Sequence, residues 1–228
     1  MQGNIVLITG AGGGLGSSVT RAFLDAGATV VGVSRKISAA SFNHPRFVAL
    51  PAELNSVAAA QVVVDDVVKR FSRLDAVAHL VGGFAGGPPL HETSDAGFRG
   101  MFAVNVDAAF YVLRAAIAAM RRLGGGSIIA VGSRAAEDPG PGVAAYSASK
   151  AALVSLVRTA ARENKDANIS VNAVLPGTMD TPANRAAMPN ADVSQWVKAE
   201  TVARLILWLA EAGTDVTGAA IPVYGRGL

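Results

Sequence analysis

Five glycines fall within seven residues at Gly10-Ala11-Gly12-Gly13-Gly14-Leu15-Gly16, directly after the short apolar run Asn4–Thr9. Near-continuous apolarity in that run predicts a strand covered on both faces, the environment of a parallel sheet. A helical pattern follows from about Leu15 to Ala26, with Gly27 placed to end it, and Thr29–Val33 reads as a second strand. The result is a β-α-β unit whose strand-to-helix turn is bare backbone. Such a turn lets a diphosphate approach peptide N–H groups at the positive end of a helix. The chain is thereby restricted to an α/β architecture with a nucleotide-sized site at one end of its sheet.

The remaining segments extend the same alternation. Strand patterns recur at Phe47–Leu50, Leu74–Val81, Ser127–Gly132 and Ile169–Leu175, and helical patterns at Ser56–Arg70, Phe98–Met120, Tyr146–Glu163 and Glu200–Glu211. These predict one doubly wound, Rossmann-like domain over 1–228, with about seven parallel strands and helices on both faces. Apolar residues make up 51% of the chain and charged residues 16%, which leaves apolar surface for a subunit contact. The net charge of +3 comes with no long basic block, so no nucleic-acid partner is expected. There is no cysteine, which excludes disulfides, thiol catalysis and cysteine metal ligands, and no metal site is expected. No uninterrupted apolar run reaches the length of a membrane span, and a strand pattern begins almost at the N-terminus; a cytoplasmic protein is expected.

Two further stretches carry chemistry. Tyr146 and Lys150 stand four residues apart at the start of a helical run, so they share a face. A phenol ionises near pH ~10, and a nearby ammonium lowers that value and makes it a usable acid near neutrality. At the end of the second strand stand Ser34-Arg35-Lys36, where an acidic residue would hold the ribose hydroxyls of NAD. Two cations suit a 2′-phosphate, which predicts NADP(H) over NAD(H).

Gly10, Gly14 and Gly16, preceded by Thr9, do not follow G-x-G-x-x-G. They resemble the T-G-x-x-x-G-x-G signature of the short-chain dehydrogenase/reductase family, and the resemblance covers nearly the whole chain. It implies cofactor contacts from Gly10, Gly14, Leu15 and Gly16, from Glu53-Leu54 in place of the usual Asp and apolar pair, and from Gly82 in His79-Leu80-Val81-Gly82, where the family has N-N-A-G. It also implies contacts from Pro176, Gly177, Thr178 and Thr181, which match P-G-x-x-x-T beside the nicotinamide. Ser133 precedes Tyr146 by 13 residues, the family spacing, with Lys150 four further on. The resemblance implies Tyr146 as acid, Ser133 as a second donor, Lys150 as the cation that tunes the tyrosine and binds the ribose, and Asn105 as support for Lys150 through water. His79 reads as a packed histidine rather than a proton shuttle.

A narrower similarity is to quinonoid dihydropteridine reductases, in Gly82–Gly87, in Leu175–Asp192 and at Trp196. Those enzymes lack a serine at the position of Ser133 and carry an aspartate near Ser34 and Arg35. A carbonyl substrate fits Ser133 at least as well as a dihydropteridine. A 3-oxoacyl thioester is an alternative, and a non-catalytic NADP(H)-sensing protein is an alternative of another class. Phe84, in a flexible glycine segment at the carboxyl edge of the sheet, either stacks on a flat substrate or packs its own loop. Trp196 lies in the expected substrate lid, 182–198. A homodimer or homotetramer through the 98–120 and 146–163 helices is what the resemblance implies for assembly.

Overall fold

The computed structural model describes residues 1–226, so the last two positions of the expected domain lie outside it. Seven strands form one sheet: β1 (Ile5–Thr9), β2 (Thr29–Ser34), β3 (Phe47–Pro51), β4 (Ala76–His79), β5 (Gly126–Val131), β6 (Ile169–Pro176) and β9 (Ala220–Val223). Their order is β3-β2-β1-β4-β5-β6-β9, and every pairing is parallel. The winding direction reverses between β1 and β4. In an open α/β sheet, ligands bind in the crevice beyond the carboxyl ends of the strands at that reversal.

Each sheet face is roofed by helices. On one side α1 (Gly14–Asp25) packs with α7 (Ala199–Glu211), around Val19, Phe23, Val202 and Ile206. On the other lie α2 (Val57–Phe71), α4 (Ala108–Leu123) and α5 (Ala144–Glu163), around Val64, Leu113, Leu153 and Val157. β6 is buried along all eight residues, and its two polar side chains, Ser170 and Asn172, are both hydrogen-bonded.

Three boundaries differ from the sequence expectation. The fourth strand is half the expected length, because Leu80 and Val81 turn out of the sheet toward the glycine loop. The long apolar helix starts earlier and is not uniform. Ser94 caps α3 (Asp95–Phe102), its hydroxyl accepting from Gly97 N at 3.1 Å, and a π-helical segment, Ala103–Asp107, joins α3 to α4. The whole run Asp95–Leu123 is long and apolar enough by composition to cross a bilayer; here α4 is buried on one side against α2 and the sheet. The region 182–198 is ordered by secondary structure of its own. It holds α6 (Pro182–Ala187), and β8 (Val197–Lys198) pairs in parallel with β7 (Met179–Asp180).

Candidate active site

The glycine turn is built as its sequence demands. Gly10 has φ +74°, a left-handed conformation that favours glycine. A Cβ on Gly16 would lie 2.1 Å from the Gly10 carbonyl oxygen, so this glycine lets α1 start flush against the turn. A Cβ on Gly14 would meet the Thr181 side chain at 3.0 Å. That contact joins the turn to the Pro176–Thr181 segment, which sequence alone could only place by analogy. The backbone cradle fits a dinucleotide diphosphate at the N-terminus of α1.

At the outer end of this groove, Ser34 closes β2 with its Oγ 2.8 Å from where a Gly12 Cβ would stand. Arg35 and Lys36 are exposed, and the Arg35 guanidinium lies 4.0 Å from the Glu53 carboxylate. Leu54, beside Glu53, turns inward and is 6% exposed, spending its side chain on the core. Among these, only Ser34, Arg35, Lys36 and Glu53 present side-chain polar groups to a nucleotide.

At the inner end, a cavity of about 680 Å³ opens beyond β4, β5 and β6. Ser133, Tyr146 and Lys150 all line it, together with Gly82, Pro176, Gly177 and Thr178. Ser133 stands at the exit of β5, and its Oγ accepts from Ala135 N at 3.2 Å. Tyr146 lies in the first turn of α5, two residues further into the helix than expected. Lys150 is 4% exposed, and its Nζ donates to the Val131 carbonyl at 2.9 Å.

Asn105 sits in the π segment behind these residues and is fully buried. Its Oδ1 accepts from Gly83 N at 2.9 Å, and its Nδ2 donates to Gly83 O and to Ser149 Oγ, each at 3.0 Å. Ser149 Oγ donates in turn to the Tyr146 carbonyl at 2.7 Å. Asn105 thus ties the β4 exit to the first turn of α5. A π bulge inside an α-helix is a common mark of a functional site. Gly82 completes the constraint: a Cβ there would lie 2.9 Å from Asn105 Oδ1 and 3.0 Å from Lys150 Nζ.

The ionisation pattern departs from the sequence expectation. Burial raises the Tyr146 phenol above its ordinary value, and a hydrogen bond with Ser133 offsets part of the rise. Lys150 is not among the causes, and its Nζ bonds the β5 backbone. Burial lowers Lys150 itself to about 8. At neutral pH the pair therefore stands as a protonated phenol beside a poised ammonium.

The two predicted substrate residues also reach the cavity. Phe84 meets the Tyr146 ring edge-on, with centroids 4.9 Å apart and planes at 79°, while staying 68% exposed. Its loop is held to the one before α5 by Gly87 N donating to Gly142 O at 2.9 Å, so the glycine segment is pinned at this point. Trp196 also lines the cavity. Thr181 is buried, and its hydroxyl is engaged as the cap of α6, accepting from Asn184 N at 3.2 Å.

Sequence reasoning missed one wall. Arg134 is paired with Asp138 at 2.6 Å and lies 5.4 Å from the centroid of the Tyr224 ring, whose hydroxyl donates to Glu137 at 3.1 Å. Only the position of Arg134 immediately after Ser133 could have flagged it. Ser149 was missed as well; a small polar residue on the inner face of an apolar helix was its only sign.

The sequence matches the short chain dehydrogenase family over residues 4–192. A 3-oxoacyl-[acyl-carrier-protein] reductase of Thermotoga maritima is 30% identical over 243 residues, covering 99% of this chain and 98% of that protein. Among solved structures, a 3-ketoacyl-(acyl-carrier-protein) reductase from Brucella melitensis complexed with NADH superposes with a TM-score of 0.89, at 26% identity, over 100% of this chain and 99% of that one. ElxO with NADP bound superposes with a TM-score of 0.92 over 98% of both chains; at 24% identity this likeness speaks to the fold.

Proposed function

The chain belongs to the short-chain dehydrogenase/reductase family and is an NAD(P)-dependent oxidoreductase, and on that premise we propose that it reduces a carbonyl or quinonoid small molecule with NADPH, with Tyr146 as the proton donor. The observation that carries this reading is the convergence of Ser133, Tyr146 and Lys150 on one cavity, braced from behind by buried Asn105. The nicotinamide, when bound, supplies the hydride. Tyr146 gives its proton to the substrate atom on which negative charge develops, and Ser133 donates a second hydrogen bond to that atom. Lys150 holds the ribose and stabilises the phenolate that remains, while Asn105 supports the proton path to Lys150.

The cavity favours a flat, weakly polar substrate, because Phe84, Met179, Met188 and Trp196 contribute apolar surface around the donors. Arg35 and Lys36, with no carboxylate at the end of β2, support the choice of NADPH. A 3-oxoacyl thioester is the second reading, supported by the Thermotoga relative. A dimer or tetramer through α4 and α5 is part of the proposal, since Phe98, Phe110 and Leu123 remain 38–42% exposed along the α3–α4 run. Light scattering on the purified protein measures that mass.

NADPH oxidation across quinones, vicinal dicarbonyls, quinonoid dihydropterin and a 3-oxoacyl thioester tests the activity. Turnover with a quinone, dicarbonyl or dihydropterin is expected. Tight NADPH binding with no turnover on any member of the panel would instead identify a non-catalytic cofactor sensor.

A further inference from the structure

His79 is fully enclosed and has no part in the scheme above. It ends β4, in register with Thr9 of β1 and Ala130 of β5. Its Nδ1 lies 3.0 Å from Thr9 Oγ1, which also accepts from Leu80 N at 3.2 Å. Among the described residues its Nε2 has no hydrogen-bond partner, Lys150 Nζ included. Leaving a buried polar atom unpaired is costly, so the orphaned nitrogen calls for an explanation.

The strand geometry says where the ring points. Side chains alternate along a strand, so His79 shares a face with Val77, which packs in the cluster that holds Leu153 and Val154 of α5. Lys150 precedes those two residues by about one helical turn, on the same helix face. Its ammonium rests on the carbonyl of Val131, the residue after the β5 partner of His79. The imidazole therefore lies in the layer between the sheet and Lys150. Burial, reinforced by the Lys150 charge, lowers His79 to about 3, so the ring is neutral.

A neutral imidazole has one N–H and one lone pair. A cation nearby favours the tautomer whose lone pair faces it. Nδ1–H then donates to Thr9 Oγ1, and Nε2 keeps the lone pair. We propose that His79 is a positioning residue for Lys150: its Nε2 lone pair faces the ammonium from the sheet side and holds it charged beneath the cavity. This rests on the reading of Lys150 as the cation of the site. Among the described residues, the groups around that ammonium are Tyr146 of its own helix, His79 from β4, the Val131 carbonyl from β5, the Asn105 amide of the π segment and the Gly82 backbone. No carboxylate contributes to the Lys150 shift. The neutral ring is then the ionisable group of the sheet that can offset burial.

The test measures the Lys150 ionisation directly, by NMR of ¹³Cε-labelled lysine in the whole protein. The chain has five lysines, and Lys150→Met assigns the signal. Asn reproduces the Nδ1 end of an imidazole and Gln the Nε2 end. His79→Asn should thus keep the Thr9 contact while removing the lone pair. The expected result is a Lys150 midpoint near 8 in the native protein, lower by about half a unit or more in His79→Asn, and largely restored in His79→Gln. Native and His79→Asn midpoints that coincide, or an equal fall in both variants, would overturn the proposal. If His79→Asn does not fold, a midpoint held near the native value in His79→Gln supports it, and a fallen one overturns it. The titration needs neither cofactor nor substrate, so its failure leaves the reductase reading standing, and absence of turnover leaves this result interpretable.

Discussion

Lys150 is 4% exposed, whereas the Arg35 side chain at the other end of the groove is 78% exposed. The inner end is tightly held: Val131 O holds the ammonium, Asn105 ties β4 to α5, and Ser149 fixes the first turn that carries Tyr146. The outer end is two cations and one carboxylate on solvated loops, with a single 4.0 Å ion pair between Arg35 and Glu53. Enclosed groups interact strongly and tolerate little displacement, while exposed charges are screened and move freely. On the proposed reading the chemistry is built into the fold, and the choice of nucleotide is a surface property that can be rewritten without disturbing it.

Substitutions at the two ends should separate accordingly. Lys150→Met is expected to lower turnover by about 10²–10⁴-fold, the range of a positioned proton-transfer group. At pH 7 it should also raise the melting temperature. Burial lowers Lys150 from 10.5 to about 8, so the folded state disfavours the ammonium, by roughly 3 kcal/mol if the whole shift is counted. The unfolded chain binds the extra proton between those two values, so native stability rises with pH across that window, and Lys150→Met should flatten the rise. Turnover and thermal melts across pH check both parts. An unchanged or lowered melting temperature at pH 7 would show the ammonium to be better compensated than its burial implies.

Arg35→Ala tests the outer end. It should reduce kcat/KM for NADPH by about 10- to 100-fold, the worth of one charge-assisted hydrogen bond of about 1.5–3 kcal/mol, and leave NADH kinetics nearly unchanged. Equal losses with both cofactors would mean that Arg35 serves the fold or the adenine rather than the 2′-phosphate. Gly82→Ala forces a methyl against Asn105 and Lys150 and should lower kcat by roughly tenfold with little change in cofactor KM, in keeping with the cost of a small misplacement of catalytic groups. The smallest effect is expected from Glu53→Gln. Removing the carboxylate that competes for Arg35 should tighten NADPH binding by about two- to threefold at low salt, within the range of an exposed ion pair, and the gain should fade as salt is added.

The same division decides how much could be read from sequence. The parallel sheet and its helical layers were legible, because burial imposes pattern; Asn105, Ser133, Tyr146 and Lys150 were placed by the spacing of the family the chain resembles, and the structure brings the last three to one cavity. The direction of the Tyr146 shift was not legible, since burial of the phenol sets it, and the Lys150 ammonium hydrogen-bonds the Val131 carbonyl, a backbone group that no residue pattern announces. The π segment around Asn105 was read as plain helix, because five apolar-flanked residues look alike in either winding. Leu54 was assigned to the nucleotide, and its side chain packs in the core. Tyr224 reaches the Arg134–Asp138 pair on the pocket wall from a distant position, and that convergence left no local pattern to find.

The central claim is that the Tyr146 hydroxyl donates the proton within a preformed site that binds NADPH independently of it. The most direct measurement is a pair of values on Tyr146→Phe: kcat with the best substrate of the panel, and the NADPH dissociation constant by fluorescence titration. The account predicts a fall in kcat of about 10³-fold, within the range for a general acid, with the dissociation constant unchanged within about twofold, since Phe keeps the edge-on contact with Phe84 and loses only the hydroxyl. A variant that keeps a tenth or more of the native kcat would contradict it.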